Sequence, residues 1–236
     1  MPRLLPGRIY ELRFILNQTV VNDILSLLRH DLVQDPSQKS HSNDGALIHS
    51  VYLDTPSFST FFEEPYFHCR RFKLRRYGEE SIIWLEYVGW DKMRVRQRRI
   101  SVDEALLADH LFGVVRSDWE GAWFRQRLHQ KQLRPVCQIS CWRRAYAGIT
   151  VAEPFRMTID RHFVVGRCSG WGVAKAPLDA VRLLPDQQIL SLKFKDTIPD
   201  VLTDLIEELK MVPKQFSTYR ESVAALLNSL DDAATW

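Results

Sequence analysis

At 236 residues, with 45% hydrophobic and 26% charged side chains, the chain has an ordinary globular composition and enough length to bury a substantial core. Its formal charge is only +3, from 32 Lys and Arg against 29 Asp and Glu, which excludes a uniformly basic coat for nucleic acid. Cys69, Cys137, Cys141 and Cys168 form no C-x-x-C pair and no zinc-like spacing with histidine, so buried free thiols in a reducing compartment are expected.

The N-terminus MPRLLPGRIYE lacks the apolar run of a signal peptide, and no segment approaches the ~18 to 20 apolar residues of a membrane span. A cytoplasmic protein is expected, with docking on a membrane-protein partner at the cytoplasmic face left open. Residues 7 to 16, GRIYELRFIL, read as a strand with Glu11 and Arg13 on one face and Tyr10, Leu12 and Phe14 on the other. Asn17 or Thr19 can cap the helix that follows, where Val20, Val21, Ile24, Leu27 and Leu28 recur at helical spacing. The polar stretch QDPSQKSHSNDG, 34 to 45, predicts a mobile surface loop. ALIHSVYLDT is strand-like again, with Tyr52 and Asp54 opposite Val51 and Leu53, and Pro56 ends it. Asp54 suits either orienting an interior cation or capping the next turn.

RRFKLRRYGEESIIWLEYVG, 70 to 89, reads as two strands joined at Gly78-Glu79-Glu80. Arg71, Lys73, Arg75 and Tyr77 share one face; on the second strand Trp84, Glu86 and Val88 alternate with Ile83, Leu85 and Tyr87. Alone, this pattern fits a half-buried sheet with a wet charged face. KMRVRQRRIS places Arg94, Arg96 and Arg98 together, opposite Val95. Helices are predicted from Ser101 or Asp103 to Phe112 and from Ser117, the second burying Trp119, Trp123, Phe124 and Leu128. Strands follow at 136 to 147, with Trp142 and Arg144 on one parity, and at FRMTIDRHFVV, where Arg156, Thr158 and Asp160 oppose Phe155, Met157 and Ile159. The glycines of GRCSGWG, 166 to 172, supply a turn, since no helix follows to make a phosphate loop. ILSLKFKD, 189 to 196, sets Ser191, Lys193 and Lys195 against Leu190, Leu192 and Phe194. Helices are predicted after Pro199 and from Ser217 or Thr218 to Leu230, leaving 231 to 236 as a frayed tail. No linker divides the chain, so one domain over 1 to 236 is expected.

About eight strand-like segments repeat one design, and that many antiparallel strands can close into a barrel just wide enough for side chains or a slender ligand. The helices need apolar partners, which outward-facing apolar strand faces supply, so the ionic faces turn inward. The expected class is α+β, an eight-stranded antiparallel β tunnel barrel with flanking helices. Its interior would gather Arg13, Lys73, Arg75, Arg94, Arg96, Arg98, Arg144, Arg156, Lys193 and Lys195 against Glu11, Asp54, Glu86 and Asp160. Unpaired buried ions cost several kcal/mol each, so a linear polyanion is the expected occupant. Carboxylates among cations suit a divalent metal bridging phosphates. The scattered His49, His68, His110, His129 and His162 offer no catalytic triad. Trp84, Trp90, Trp119, Trp123 and Trp142 are expected in the core, and no nucleic-acid partner is expected.

The motifs YELRF, SVYLDTPSF, KLRRY, WLEY, VRQRR, CWRRAY, FRMTID, LSLKF and FSTY, in this order over most of the chain, resemble the VTC domain. That is the catalytic domain of the vacuolar transporter chaperone polyphosphate polymerases, grouped with CYTH proteins and triphosphate tunnel metalloenzymes. The resemblance implies an eight-stranded tunnel that transfers the γ-phosphate of ATP to growing polyphosphate with a divalent metal, Mn or Mg. It implies that Lys73 and Arg75 hold substrate phosphates and that Arg96, Arg98 and Arg156 complete the catalytic cations. Arg13, Arg144 and Lys193, with Lys214, Ser217 and Tyr219 of the C-terminal motif, form the expected substrate-binding set; Glu11 and Glu86 are candidates for metal ligation or for ordering the cations. The chain departs from the family's pattern at Val88, where a lysine is expected, at Ser191, where the metal-ligating glutamate is expected, and at Thr218, where another lysine is expected. The alternatives are a non-catalytic polyphosphate or nucleotide binder of the same fold, or a triphosphate hydrolase. Hydrolases of this fold begin with Glu-x-Glu-x-Lys, which Tyr10-Glu11-Leu12-Arg13 does not present.

Overall fold

Alternation between apolar and ionic side chains is realised as a closed wall of strands. The structure, a computed structural model, describes residues 8–35, 45–114, 118–149, 154–168 and 170–233. Its strands are β1 (Ile9–Leu16), β2 (Leu32–Gln34), β3 (Ala46–Asp54), β4 (Arg70–Tyr77), β5 (Ile82–Asp91), β6 (Arg94–Asp103), β7 (Arg134–Gly148), β8 (Phe155–Arg167), β9 (Leu178–Leu183) and β10 (Gln188–Lys195). The helices are α1 (Gln18–Leu27), α2 (Leu107–Phe112), α3 (Ala122–Gln130), α4 (Asp200–Glu208) and α5 (Thr218–Ala233). Antiparallel pairing runs β7, β3, β4, β5, β6, β1, β10, β8 and returns from β8 to β7, which closes an eight-stranded barrel.

The two strands outside that ring lengthen its wall. β2 pairs with Tyr146 to Gly148 of β7, beyond the stretch that β3 uses, and β9 pairs with Phe163 to Arg167 of β8, beyond the stretch that β10 uses. Neither strand is predicted from the sequence, because one is only three residues long and the other is largely exposed and lacks clean alternation.

The outward apolar faces are covered by helices. Phe72, Leu74, Ile83 and Leu85 pack with Leu111 of α2 and with Phe124 and Leu128 of α3. Phe14, Met157, Leu190 and Leu192 pack with Ile24 of α1 and with Leu202 and Leu205 of α4. The third cluster lies on the inward face: Ile48, Ile139 and Ile189 pack with Tyr219 and Val223, which seats α5 against the inner face of the barrel. Asn17 caps α1 by accepting from the Val20 N–H at 3.0 Å, as the sequence predicts. Gly78 takes φ +54 in the β4–β5 turn, a left-handed backbone that glycine adopts without strain.

α3 begins at Ala122 instead of Ser117, which lies outside the described residues. Gly121 precedes it and sits directly under Trp119, where a Cβ would fall 2.3 Å from the indole. α5 reaches Ala233 rather than stopping at Leu230, and residues 234–236 lie outside the described residues. So does most of the predicted 34–45 loop. Among the described residues no helix is long and apolar enough to cross a membrane.

Register decides which charges face inward, because directly opposed residues share one face of the sheet. Glu86 opposes Lys73 on β4 and Arg99 on β6, Glu11 opposes Lys193, and Asp160 opposes Arg143. The expected interior positions of Arg94, Arg96, Arg98 and Arg144 are therefore corrected. Val95 opposes Trp90 on β5 and Ile9 on β1, so Val95, Gln97 and Arg99 face in while Arg94, Arg96 and Arg98 face out. The cause is the tight turn at Lys92-Met93, which pairs Arg94 with outward-facing Asp91; Lys92 has φ +53. A one-residue change of phase moves a whole strand's side chains to the other face. On β7, Cys141 opposes inward-facing Ile48, which turns the adjacent Arg143 inward and Arg144 outward.

Candidate functional site

Inside the barrel, the β4–β5–β6 wall concentrates cations around one carboxylate. Glu86 is fully buried; Lys73 Nζ and Arg75 Nη1 both lie 3.4 Å from its Oε2, and Arg99 Nη1 lies 3.9 Å from its Oε1. Among the described residues no hydrogen-bond donor reaches either Glu86 oxygen. The cations are thus gathered by Glu86 without being bound tightly to it. Arg75 is also held by donating to Ser50 Oγ at 3.0 Å, and the Arg99 guanidinium lies 4.5 Å from the Trp84 ring centre. Lys73 sits 5.5 Å from the Tyr52 ring centre.

The electrostatics follow from burial and crowding. Burial alone would raise the Glu86 carboxyl, but Arg75, Lys73 and Arg99 pull it down to about 2. For Lys73, burial and then the neighbouring Arg75 push the ammonium down to about 7, against the smaller upward pull of Glu86. Near neutral pH Glu86 therefore stays ionised while Lys73 is within reach of deprotonation.

Glu11 forms a second centre on the β1–β10 wall. Lys193 Nζ lies 3.7 Å from its Oε1, and Trp90 Nε1–H donates to its Oε2 at 2.9 Å. Burial would raise this carboxyl too, yet Lys193, Arg13 and the indole donor hold it at about 2. Arg13 reaches Ser191 Oγ at 3.5 Å and donates to the Phe216 carbonyl at 3.0 Å. Asp160, by contrast, is taken up by Arg143 through a two-pronged contact of 2.6 and 2.6 Å. Arg156 donates to buried Asp35 at 2.7 Å and is partly exposed.

The C-terminal motif divides. Ser217 Oγ accepts from Arg71 at 3.0 Å, which places it at the cationic wall. Tyr219 is buried, donates its hydroxyl to Asp54 Oδ2 at 2.7 Å and stacks on Tyr52 at 5.6 Å. Asp54 also accepts from the N–H groups of Thr55, Thr60 and Phe61, so it caps the turn after β3 instead of orienting an interior cation. Lys214 is exposed and meets the barrel through its backbone N–H on the Arg13 carbonyl.

The structure thus brings together Lys73, Arg75, Glu86, Glu11, Arg13, Lys193 and Ser217, with Arg156 in the same inward row of β8. It leaves Arg96, Arg98 and Arg144 on the outside. Arg99, Arg143 and Trp90 join the site although their sequence pattern does not mark them for it. Arg99 is adjacent to Arg98, and Arg143 to Arg144, so residue type could not choose between them. Val88 faces in, buried between Arg71 and Gln97 on the flanking strands; Ser191 opposes Arg13 and Thr158; Thr218 opens α5.

The model of the VTC domain matches residues 8–227. The chain belongs to the VTC domain family. No curated protein sequence matches it. Among solved structures, an adenylyl cyclase-type protein from Hippeastrum with a dominant triphosphatase activity superimposes with a TM-score of 0.52 at 9% identity, covering 93% of this chain and 96% of that one. An adenylate cyclase-type protein from Bacillus halodurans gives 0.50 at 12% identity, covering 91% of this chain and 98% of that one. At such identities the likeness is one of fold, and it is the fold of a closed tunnel. The interior cations of this VTC domain come from six barrel strands.

Proposed function

We propose that this VTC-domain tunnel binds a linear phosphate polymer and transfers the γ-phosphoryl group of ATP to its end. The observation that carries the reading is Glu86, a single buried carboxylate shared at 3.4, 3.4 and 3.9 Å by Lys73, Arg75 and Arg99 without a hydrogen bond. Such an excess of buried positive charge is costly until an anion enters, and Arg and Lys grip phosphate oxygens well. Lys73, Arg75 and Arg99 would hold the transferring phosphoryl and neutralise its charge; Arg13, Lys193 and Arg156 would align the acceptor chain. A terminal oxygen of the polymer attacks the γ-phosphorus while the bond to the bridging oxygen of ADP breaks. Burial of Lys73, Arg75 and Glu86 within the barrel strengthens each of these interactions.

A divalent metal fits this site only in the company of substrate. Among the described residues no group of three or more His, Cys, Asp or Glu could hold a metal alone. Glu86, whose oxygens lack donors, and Glu11 could each give a ligand to Mg or Mn whose remaining ligands are phosphate oxygens and water. Bound there, such a metal would polarise the phosphoryl oxygens. Ser191 supports a second reading, polyanion binding without transfer, because a hydroxyl beside Arg13 stands where the family's metal-ligating glutamate is expected.

The test is to incubate the chain with ATP, manganese and a short polyphosphate primer, resolving products on a gel and measuring primer binding in parallel. Long, metal-dependent polyphosphate is expected. Tight, salt-sensitive binding without product would replace transfer with the second reading. In that case Ser191→Glu with Val88→Lys should raise metal-dependent activity.

A further inference from the structure

The arginines that the register turns away from the tunnel meet again outside it. Arg96 and Arg98 of β6, Arg70 at the start of β4 and Arg127 of α3 line a pocket of about 510 Å³ between the outer barrel face and α3. None of its lining residues is acidic; beside the arginines stand aromatic rings, Gln126, and Gln97, whose side chain faces the tunnel. Among the described residues Arg96, Arg98 and Arg127 make no ion pair with an acid. Ordinarily, a surface with this many arginines would intersperse acids among them.

The rings fix the cations in place. The Arg98 guanidinium lies 4.6 Å from the Trp123 ring centre, and that of Arg70 lies 4.3 Å from the Tyr66 ring centre. Arg70 also spends one Nη1–H on the Tyr66 carbonyl, whereas stacking on Trp123 fixes Arg98 without consuming its N–H donors. The size is that of a small-molecule site. A monoanion would leave most of this charge unbalanced, whereas a chain of linked phosphates offers several charges and oxygens along a short line.

We propose that this outer pocket is a second anion site that takes a triphosphate group, either inorganic or carried by a nucleotide. It is separate from the tunnel, since Phe72 and Tyr87 line it from the β4–β5 wall while their neighbours Lys73 and Glu86 face the interior. Arg98 and Arg99, consecutive on β6, serve opposite sides of one wall.

The experiment is calorimetric titration of the full chain with inorganic tripolyphosphate and, separately, with ATP. Two classes of site are expected for tripolyphosphate. Arg96→Ala with Arg98→Ala should weaken one on the order of a hundredfold, since two charge-assisted contacts are lost, and leave the other intact. Lys73→Ala with Arg75→Ala should do the converse. Equal affinity for the two ligands would show that phosphates alone are read, and tighter ATP binding that the nucleoside is read too; both sustain the site. A single class, lost only in the Arg96 and Arg98 variant, would remove the tunnel reading and keep this one. Binding indifferent to Arg96 and Arg98, or a glutamate-rich peptide that outcompetes tripolyphosphate at the Arg98 site, would overturn it.

Discussion

Lys73 is the side chain on which the chemistry of the tunnel is most easily read. Burial and the adjacent Arg75 leave it with a pKa of about 7, so in the empty tunnel its charge is lost as pH rises through that value. A bound polyanion favours the charged form and raises the pKa again. Polyphosphate affinity should accordingly fall above pH 7, and binding near pH 8 should take up a proton. Titrations in buffers of different ionisation heat measure that uptake directly. Lys73→Arg, permanently charged, should flatten the pH profile; an unchanged profile would remove Lys73 from the binding face. Glu86 has the opposite role, staying ionised throughout because Arg75, Lys73 and Arg99 surround it.

Among the elements, α5 shows how a motif that looks functional can be architectural. Tyr219 spends its hydroxyl on Asp54, which already holds the turn after β3 through backbone N–H groups. Burial, together with that carboxylate, pushes the phenol well above its ordinary range, so it is a donor and not a base. Tyr219→Phe should cost about 1.5–3 kcal/mol in denaturant unfolding, the usual loss for a hydrogen bond to a charged group. Polyanion affinity should change little. A large loss of affinity without a loss of stability would return Tyr219 to the substrate-binding set. Ser217, two residues earlier, meets Arg71 instead, so residues of one short motif serve different ends.

For the whole molecule, a barrel with crowded interior cations is held back by their mutual repulsion. An anion that binds only the folded tunnel stabilises it by mass action. Tripolyphosphate should therefore raise the Tm, and the shift should shrink but persist in high salt, because buried charges are screened less than exposed ones. Acid should act the other way. The Glu11 and Glu86 carboxyls sit at about 2 in the fold against an ordinary 4.5, so their stabilising contribution is complete above pH 4.5 and is lost as pH falls toward 2. Thermal unfolding across that range should show the decline, and Glu86→Gln should reduce it.

Much of this could be read from the chain alone. Period-2 alternation placed every strand of the closed ring, because a residue's parity along a strand is a local property; it also paired Glu11 with Arg13 and Lys73 with Arg75 on shared faces. Apolar strand faces and helical stripes together required closure, and the motifs pointed to the VTC family that the comparison then established. What the chain alone could not decide was absolute phase. In VRQRR and CWRRAY, arginines stand side by side, and only the pairing of Val95 with Trp90 and of Cys141 with Ile48 determined that Arg99 and Arg143 enter the tunnel while Arg98 and Arg144 stay outside. Register is set by turns and by partners distant in sequence, and a shift of one residue exchanges the two faces of a strand.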